Sequence, residues 1–344
     1  MVSLTKSYRN TFILLLISLL IISFINISLG SVSIPFKQLL LSLINGDVAK
    51  ESWRTIVLDY RLPKAITAII VGSGLSISGL LMQTLFRNPL AGPYVLGISS
   101  GASLGVAILI LGASFLGASI TSYAFTNFGL AIAASIGSFM VLSAVMIAAI
   151  KVRNTMSILI IGLMFGSLTA AIISVLAYFS SASQLQQYLF WSFGSLGNLS
   201  WNEIIALISI FSIGILLVVF IIKPLNSLLI GENYAKSMGV NVKLTRSITL
   251  ISTSLLTGVI TAFSGPIAFI GLAVPHLTKL LFNTSDHKIL LPAVAISGSI
   301  IMLICDSIAQ LPTSDYTLPI NAITSLLGAP IIIWLLVRKR KIYY

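Results

Sequence analysis

Apolar runs of about twenty residues, separated by short polar or charged stretches, recur along the whole chain. They fall near residues 11–29, 63–86, 94–112, 128–150, 156–178, 203–222, 247–264, 266–282, 289–309 and 319–337. A helix needs about 20 mostly apolar residues to cross a hydrocarbon core about 30 Å thick, so the pattern predicts ten spanning helices with short connections. Runs three and four rest on the stretch 88–150, which carries no charge before Lys151 and is too long for one span. Runs seven and eight are divided only by "FSGP" at 263–266, where Gly and Pro mark a tight reversal.

Composition agrees with this pattern. Of 344 residues, 57% are hydrophobic and 8% charged, too few charges to cover a water-soluble surface of this size. The fold class is therefore all-α, a polytopic membrane protein of about ten transmembrane helices, with residues 1–344 forming one transmembrane domain. The first run follows Lys6 and Arg9 like a signal peptide, but it is long for one and reads as a retained span.

The net charge of +12 is a topology signal. With ten spans and both termini in the cytoplasm, fifteen of the twenty basic residues face inward, including Arg87, Lys151, Arg153, Lys236, Arg246, Lys279 and the cluster at 338–341. The other five, Lys37, Lys50, Arg54, Arg61 and Lys64, share the segment between runs one and two. No basic face interleaved with aromatics is present, so nucleic acid is not expected as a partner.

Little in the chain points to bond chemistry. Asp306 is the one carboxylate well inside a run and Glu203 stands at the edge of another. A structural hydrogen bond is the expected role of each, as for His276 and His287. Cys305 is the only cysteine, an expected core residue, and there is no HExxH or Cys/His cluster for a metal. Stripes such as Gly97, Gly101 and Gly105 predict close helix packing. The turn "LFRNPLAGPYVLG" brings irregular backbone near the membrane, which requires burial in protein or a watery cavity. A GxxxxGK[ST] loop is also missing, so the chain does not itself cradle nucleotide phosphates, and if it serves driven transport the energy enters through a partner.

One polar stretch interrupts the chain near its middle, "IGENYAKSMGVNVK" at 230–243. Ile230, Tyr234 and Met238 recur every fourth residue, and Glu232 with Lys236 forms an expected i,i+4 ion pair on another face. Gly239 is placed to end the helix, while Pro224 and Gly231 predict a separate turn before it, making a helix pair over 224–239. Its polar face is too weakly basic for a lipid surface. A soluble partner fits better.

The motifs "RLPK", "GLLMQTLFRNPLAGPYVLGISSGAS", "WSFGSL", "LLIGENYAKSMGVNV", "GPIAFIGLAVPHLTKLL", "DHKILLPAVAISGSIIMLICDSIAQ" and "LPINAITSLLGAP" run in this order over about residues 61–330. Together they resemble the FecCD-type (type II) permeases of bacterial iron-siderophore, haem and cobalamin ABC importers. The resemblance implies a cobalamin-importer-permease-like fold in the bacterial inner membrane and a second permease subunit, with a homodimer expected. It also implies two cytoplasmic ABC ATPase subunits holding ATP and Mg, with no cofactor on this chain, and an external substrate-binding protein. By the same resemblance Ile230, Gly231, Glu232, Tyr234, Ala235, Lys236, Met238 and Gly239 contact the ATPase. Arg61 and Lys64 face outward to the binding protein, and Asn88, Leu90 and Thr155 stand at the cytoplasmic gate. Gly92, Lys279, Gln310 and the "TLPIN" of 317–321 depart from the family pattern. An ATP-driven iron-siderophore importer is the leading reading, haem or cobalamin the nearest alternative, and an ion-coupled carrier or a membrane enzyme the readings from other classes.

Overall fold

The computed structural model describes residues 2–44, 46–113, 126–152, 155–197, 199–310 and 316–337, and these form helices and connections only. In chain order the helices are α1 (Val2–Ser28), α2 (Phe36–Leu43), α3 (Glu51–Thr55), α4 (Leu62–Phe86), α5 (Ile98–Ile110), α6 (Asn127–Lys151), α7 (Thr155–Tyr178) and α8 (Ala182–Ser192). Then come α9 (Trp201–Phe220), α10 (Ile222–Ile230), α11 (Glu232–Ser237), α12 (Val242–Ser264), α13 (Ile270–Phe282), α14 (His287–Ala309) and α15 (Ile320–Val337). A π-helical turn, Ile56–Arg61, joins α3 to α4 without a break.

Ten of these helices answer the ten expected spans. Seven are long and apolar enough to cross a membrane, while α5, α13 and α15 are shorter apolar helices. Helices α5 and α13 have a common cause for their shortness: each is preceded by irregular backbone that uses part of the apolar run. Before α13, Gly265 (φ 73°) and Phe269 (φ 67°) bracket an extended segment containing Pro266, so only Pro275 of the two expected helix breakers lies within a helix. Two of that segment's N–H groups find side-chain oxygens in the apolar interior. Ile267 N–H donates to the Tyr94 hydroxyl at 3.2 Å and Ala268 N–H to Asn321 Oδ1 at 3.1 Å.

Helix α4 is the centre of the bundle. Nearly all of its residues are buried, and α14, α12 and α13 pack around it. Two backbone approaches bring this about: a Cβ on Gly72 would run into the Gly298 carbonyl of α14, and one on Gly79 into the Gly271 carbonyl of α13. A second cluster joins α5, α6 and part of α12, where Gly101 and Gly105 meet Gly137 and Ala133. Helices α1, α7 and α9 instead present rows of exposed Leu, Ile, Val and Phe, as helices facing lipid or another apolar surface do.

Three connecting helices were not legible as separate elements. Helix α8 begins at Ser181, whose hydroxyl accepts from Gln184 N–H at 3.4 Å while its own N–H donates to Gln184 Oε1 at 3.0 Å. Helices α2 and α3 fill the segment between α1 and α4, where Lys50 lies 5.4 Å from the Trp53 ring centre. Cys305 is buried as expected. Arg153 and the basic cluster 338–341, both assigned to the cytoplasm from the sequence, lie outside the described residues.

Candidate functional site

The polar interruption folds as the expected helix pair, α10 followed by α11. Gly231, at φ 150° and ψ 147°, breaks them apart, and Gly239, at φ 81°, ends the second with its N–H donating to Lys236 O at 3.0 Å. One side of the pair is pinned to the bundle by Leu225, Leu228 and Ala235, all buried. The other side carries the expected stripe: Ile230 is 65% exposed, Tyr234 48% and Met238 58%, three large apolar side chains left about half open or more. Ala235 belongs to the packed side and not to the free one.

Polar contacts fix the pair against the ends of three spans. Arg87 Nη2 donates to the Leu228 carbonyl at 2.6 Å. Asn226 Nδ2 donates to Asp286 Oδ1 at 2.7 Å. Glu232 pairs with Arg246 of α12 at 2.9 Å. The expected Glu232–Lys236 pair is therefore corrected: a cation from the next helix reaches Glu232, which ties α11 to a span, and Lys236 keeps to the exposed face. Asp286 is the N-cap of α14 and accepts from Lys288 N–H at 3.0 Å. Burial pushes its carboxyl up, but these hydrogen bonds and the charges of Lys288 and His287 outweigh that and hold it below the ordinary value.

The turn after α4 lies at the same end. Arg87 takes a left-handed conformation (φ 47°), and Asn88 Oδ1 accepts from Leu90 N–H at 2.9 Å, closing a local turn. His276 of α13 donates Nε2–H to the Pro89 carbonyl at 2.7 Å, and Gln83 Nε2 donates to Leu272 O at 3.2 Å. Ala91, Gly92 and Pro93 are buried while Leu90 is exposed. Protein thus covers the Ala91–Pro93 part of the irregular backbone, while the Arg87–Leu90 part lies at the surface. Thr155 opens α7, and its side chain lies outside the described residues.

At the opposite end, a cavity of about 770 Å³ is lined by Tyr60, Arg61, Lys64, Phe193, Asp306 and Gln310 among others. Lys64 Nζ sits 3.1 Å from Asp306 Oδ1, and Asp306 Oδ2 accepts from Asn26 Nδ2 at 2.9 Å and Gln310 Nε2 at 2.8 Å. Arg61 is 8% exposed, and its guanidinium donates to the carbonyls of Ile27 (3.0 Å), Ser28 (2.9 Å) and Val32. The expectation that these two cations face outward is corrected for Arg61, whose charge closes the open end of α1. Lys64 keeps partial access to the cavity.

Comparison with known proteins decides the family. The FecCD transport family profile matches residues 16–338. This chain belongs to the FecCD transport family. The hemin transport system permease protein HmuU of Yersinia pestis is 35% identical over 328 residues, 95% of either chain. The vitamin B12 import system permease protein BtuC of Salmonella typhi is 33% identical over 310 residues, 88% of this chain and 92% of that one. A solved metal-chelate type ABC transporter in an inward-facing conformation superposes with a TM-score of 0.81, at 28% identity, over 97% of this chain and all of the other.

The chain is accordingly a transmembrane permease of an ABC importer. In this FecCD permease the sites expected from the sequence do not form one cluster. The helix pair and the Asn88–Leu90 turn share one end, linked through Arg87, and the Arg61–Lys64 cavity occupies the other. Sequence reasoning missed Asn26, Thr84, Asn226 and Arg246. Arg246 carries a usable signal, being a cation at the start of a span fourteen residues after an acid, but the others are ordinary polar residues.

Proposed function

We propose that this permease passes a large metal chelate inward, driven by ATP bound with Mg on two separate cytoplasmic ATPase subunits. An iron-siderophore complex is the leading cargo from the motif resemblance. Haem and vitamin B12, named for HmuU and BtuC, are the alternatives. A second permease copy completes the path, and an external binding protein delivers cargo to the end bearing the 770 Å³ cavity. The end carrying α10 and α11 faces the cytoplasm, in keeping with the crowding of basic residues there.

The observation that carries this reading is the exposed stripe of Ile230, Tyr234 and Met238 on a helix pair anchored by Arg87, Asn226 and Glu232. Large apolar groups on a rigid support at an aqueous boundary suit a groove in a soluble partner. Closure of the ATPase dimer would push on the pair, and the pair on the ends of α4, α12 and α14. Transport follows as alternating access. This chain supplies the path and makes or breaks no covalent bond.

The test is co-purification from membranes. Tyr234→Ser together with Met238→Ser is expected to release the ATPase subunits while leaving the permease folded, since both side chains are exposed. Retention of the ATPase in full amount by that double variant would overturn the reading. Mass spectrometry of the small molecule held by the cognate binding protein identifies the cargo, and a metal-free sugar or peptide there would overturn the chelate assignment.

A further inference from the structure

A chain of buried hydrogen bonds runs from the helix pair into the bundle through one histidine. Asn226 of α10 presents Oδ1 to two donors on the same residue, the His287 backbone N–H at 2.9 Å and the His287 ring Nδ1 at 2.6 Å. The backbone N–H fixes Oδ1 as acceptor, so Nδ1 must carry a proton. The far ring nitrogen, Nε2, lies 2.9 Å from Thr84 Oγ1 on α4. Thr84 Oγ1 is also 2.9 Å from the Leu80 carbonyl of its own helix. With a neutral ring, one hydroxyl proton serves two acceptors, Nε2 of another helix and the carbonyl one turn back. His287 and Thr84 are both buried, at 1% and 3% exposure, so water cannot replace a partner that moves away.

These bonds join three elements, α10, α14 and α4, through one buried ring, beside the Asn226–Asp286 and Arg87–Leu228 contacts nearer the surface. Asn226 rides on α10, His287 opens α14, and Thr84 is three residues before Arg87 and four before the Asn88 turn. We infer that His287 is the positioning residue through which displacement of the helix pair reaches the inner ends of α4 and α14. The inference rests on reading the pair as the ATPase contact. A shift of α10 that carries Asn226 away from the ring frees His287 to turn, and the Thr84 hydroxyl returns to Leu80. The end of α4, and the Leu90 turn beyond it, then lose this polar link to the start of α14, while the packing around Gly72 and Gly298 holds the helices together farther along. Apolar side chains in the same places would slide without such a two-position choice.

Thiol labelling of the assembled transporter tests this. Leu90→Cys gives an exposed thiol, and the native Cys305 is buried, so a membrane-impermeant maleimide reports on the turn alone. With wild-type Thr84, the labelling rate in the permease–ATPase complex is expected to differ between the nucleotide-free and the ATP–vanadate-trapped states. Thr84→Val, which keeps shape and removes the hydroxyl, is expected to make the two rates equal while the ATPase still co-purifies. Thr84→Ser restores the difference. Asn226→Ala provides a second break in the chain should Thr84→Val fold poorly. A nucleotide-dependent difference surviving in Thr84→Val and Asn226→Ala overturns the inference, as do equal rates in the wild-type complex. Failure of the coupling reading looks different: there, Tyr234→Ser with Met238→Ser keeps both the ATPase and the labelling difference.

Discussion

Lys64 Nζ and Asp306 Oδ1 stand 3.1 Å apart, an ion pair that joins the start of α4 to the end of α14. Asp306 is almost fully enclosed and is further held by Asn26 of α1 and Gln310. Removing one member of a buried pair strands the other, at a cost of about 3–5 kcal/mol, whereas replacing both by apolar groups is often close to neutral. Asp306→Ala is therefore expected to lower the thermal midpoint in detergent strongly, and Lys64→Met combined with Asp306→Leu to recover most of the loss. Equal harm from the single and the double change would show that the pair is not the unit of stability.

Glu232 should be sensitive to its partner on α12 and indifferent to its neighbour on α11. Arg246→Gln is expected to loosen α11 by about 0.2–1 kcal/mol, the range for a partly exposed pair, and Lys236→Gln to change nothing. Hydrogen exchange of the amides in Glu232–Ser237 reads this directly. Faster exchange in the Lys236 variant alone would restore the i,i+4 pairing expected from the sequence.

Arg61 is predicted to matter for folding before it matters for any partner. Its charged guanidinium donates to neutral backbone carbonyls at the end of α1, contacts worth about 1.5–3 kcal/mol apiece. Arg61→Met should lower the thermal midpoint of the isolated permease, and Arg61→Lys should restore only part, because one ammonium cannot reproduce the planar fork. An unchanged midpoint in Arg61→Met, with weakened binding-protein capture, would return the side chain to an outward role.

Two glycines should fail for different reasons. Gly79→Ala places a methyl against the Gly271 backbone, and overpacking of this kind costs about 1–3 kcal/mol while forcing α4 from α13. Gly239→Ala meets open space, yet its φ of 81° charges an L residue about 1–2 kcal/mol. Chemical denaturation of the two variants, with disulfide trapping between α4 and α13, separates them: only Gly79→Ala should reduce the cross-link.

The spans were legible because apolar runs of bilayer length leave few other solutions, and the helix pair because its stripe repeats every fourth residue. Partners across the bundle were not. Nothing local in "PLNSLLI" marks Asn226 as the acceptor for a histidine sixty-one residues later, since that meeting depends on how α10 crosses α14. Arg61 was misjudged for a related reason. Sequence position put it at a membrane boundary, but only the fold of α1 and the segment after it supplied the carbonyls of Ile27, Ser28 and Val32 that hold its guanidinium. Helices α2, α3 and α8 escaped notice because each is shorter than the apolar period that reveals a span.

The unbroken run from Glu51 to Phe86 spans 36 residues, about 50 Å of helix, more than a hydrocarbon core about 30 Å thick requires. The run lines the ionic cavity near one end, from Ile56 to Lys64, and finishes beside the Arg87–Leu228 contact at the other. One continuous helix therefore links the two ends of the bundle. Whatever tilts one tip must swing the other, so delivery of cargo and hydrolysis of fuel would act on the two arms of one lever.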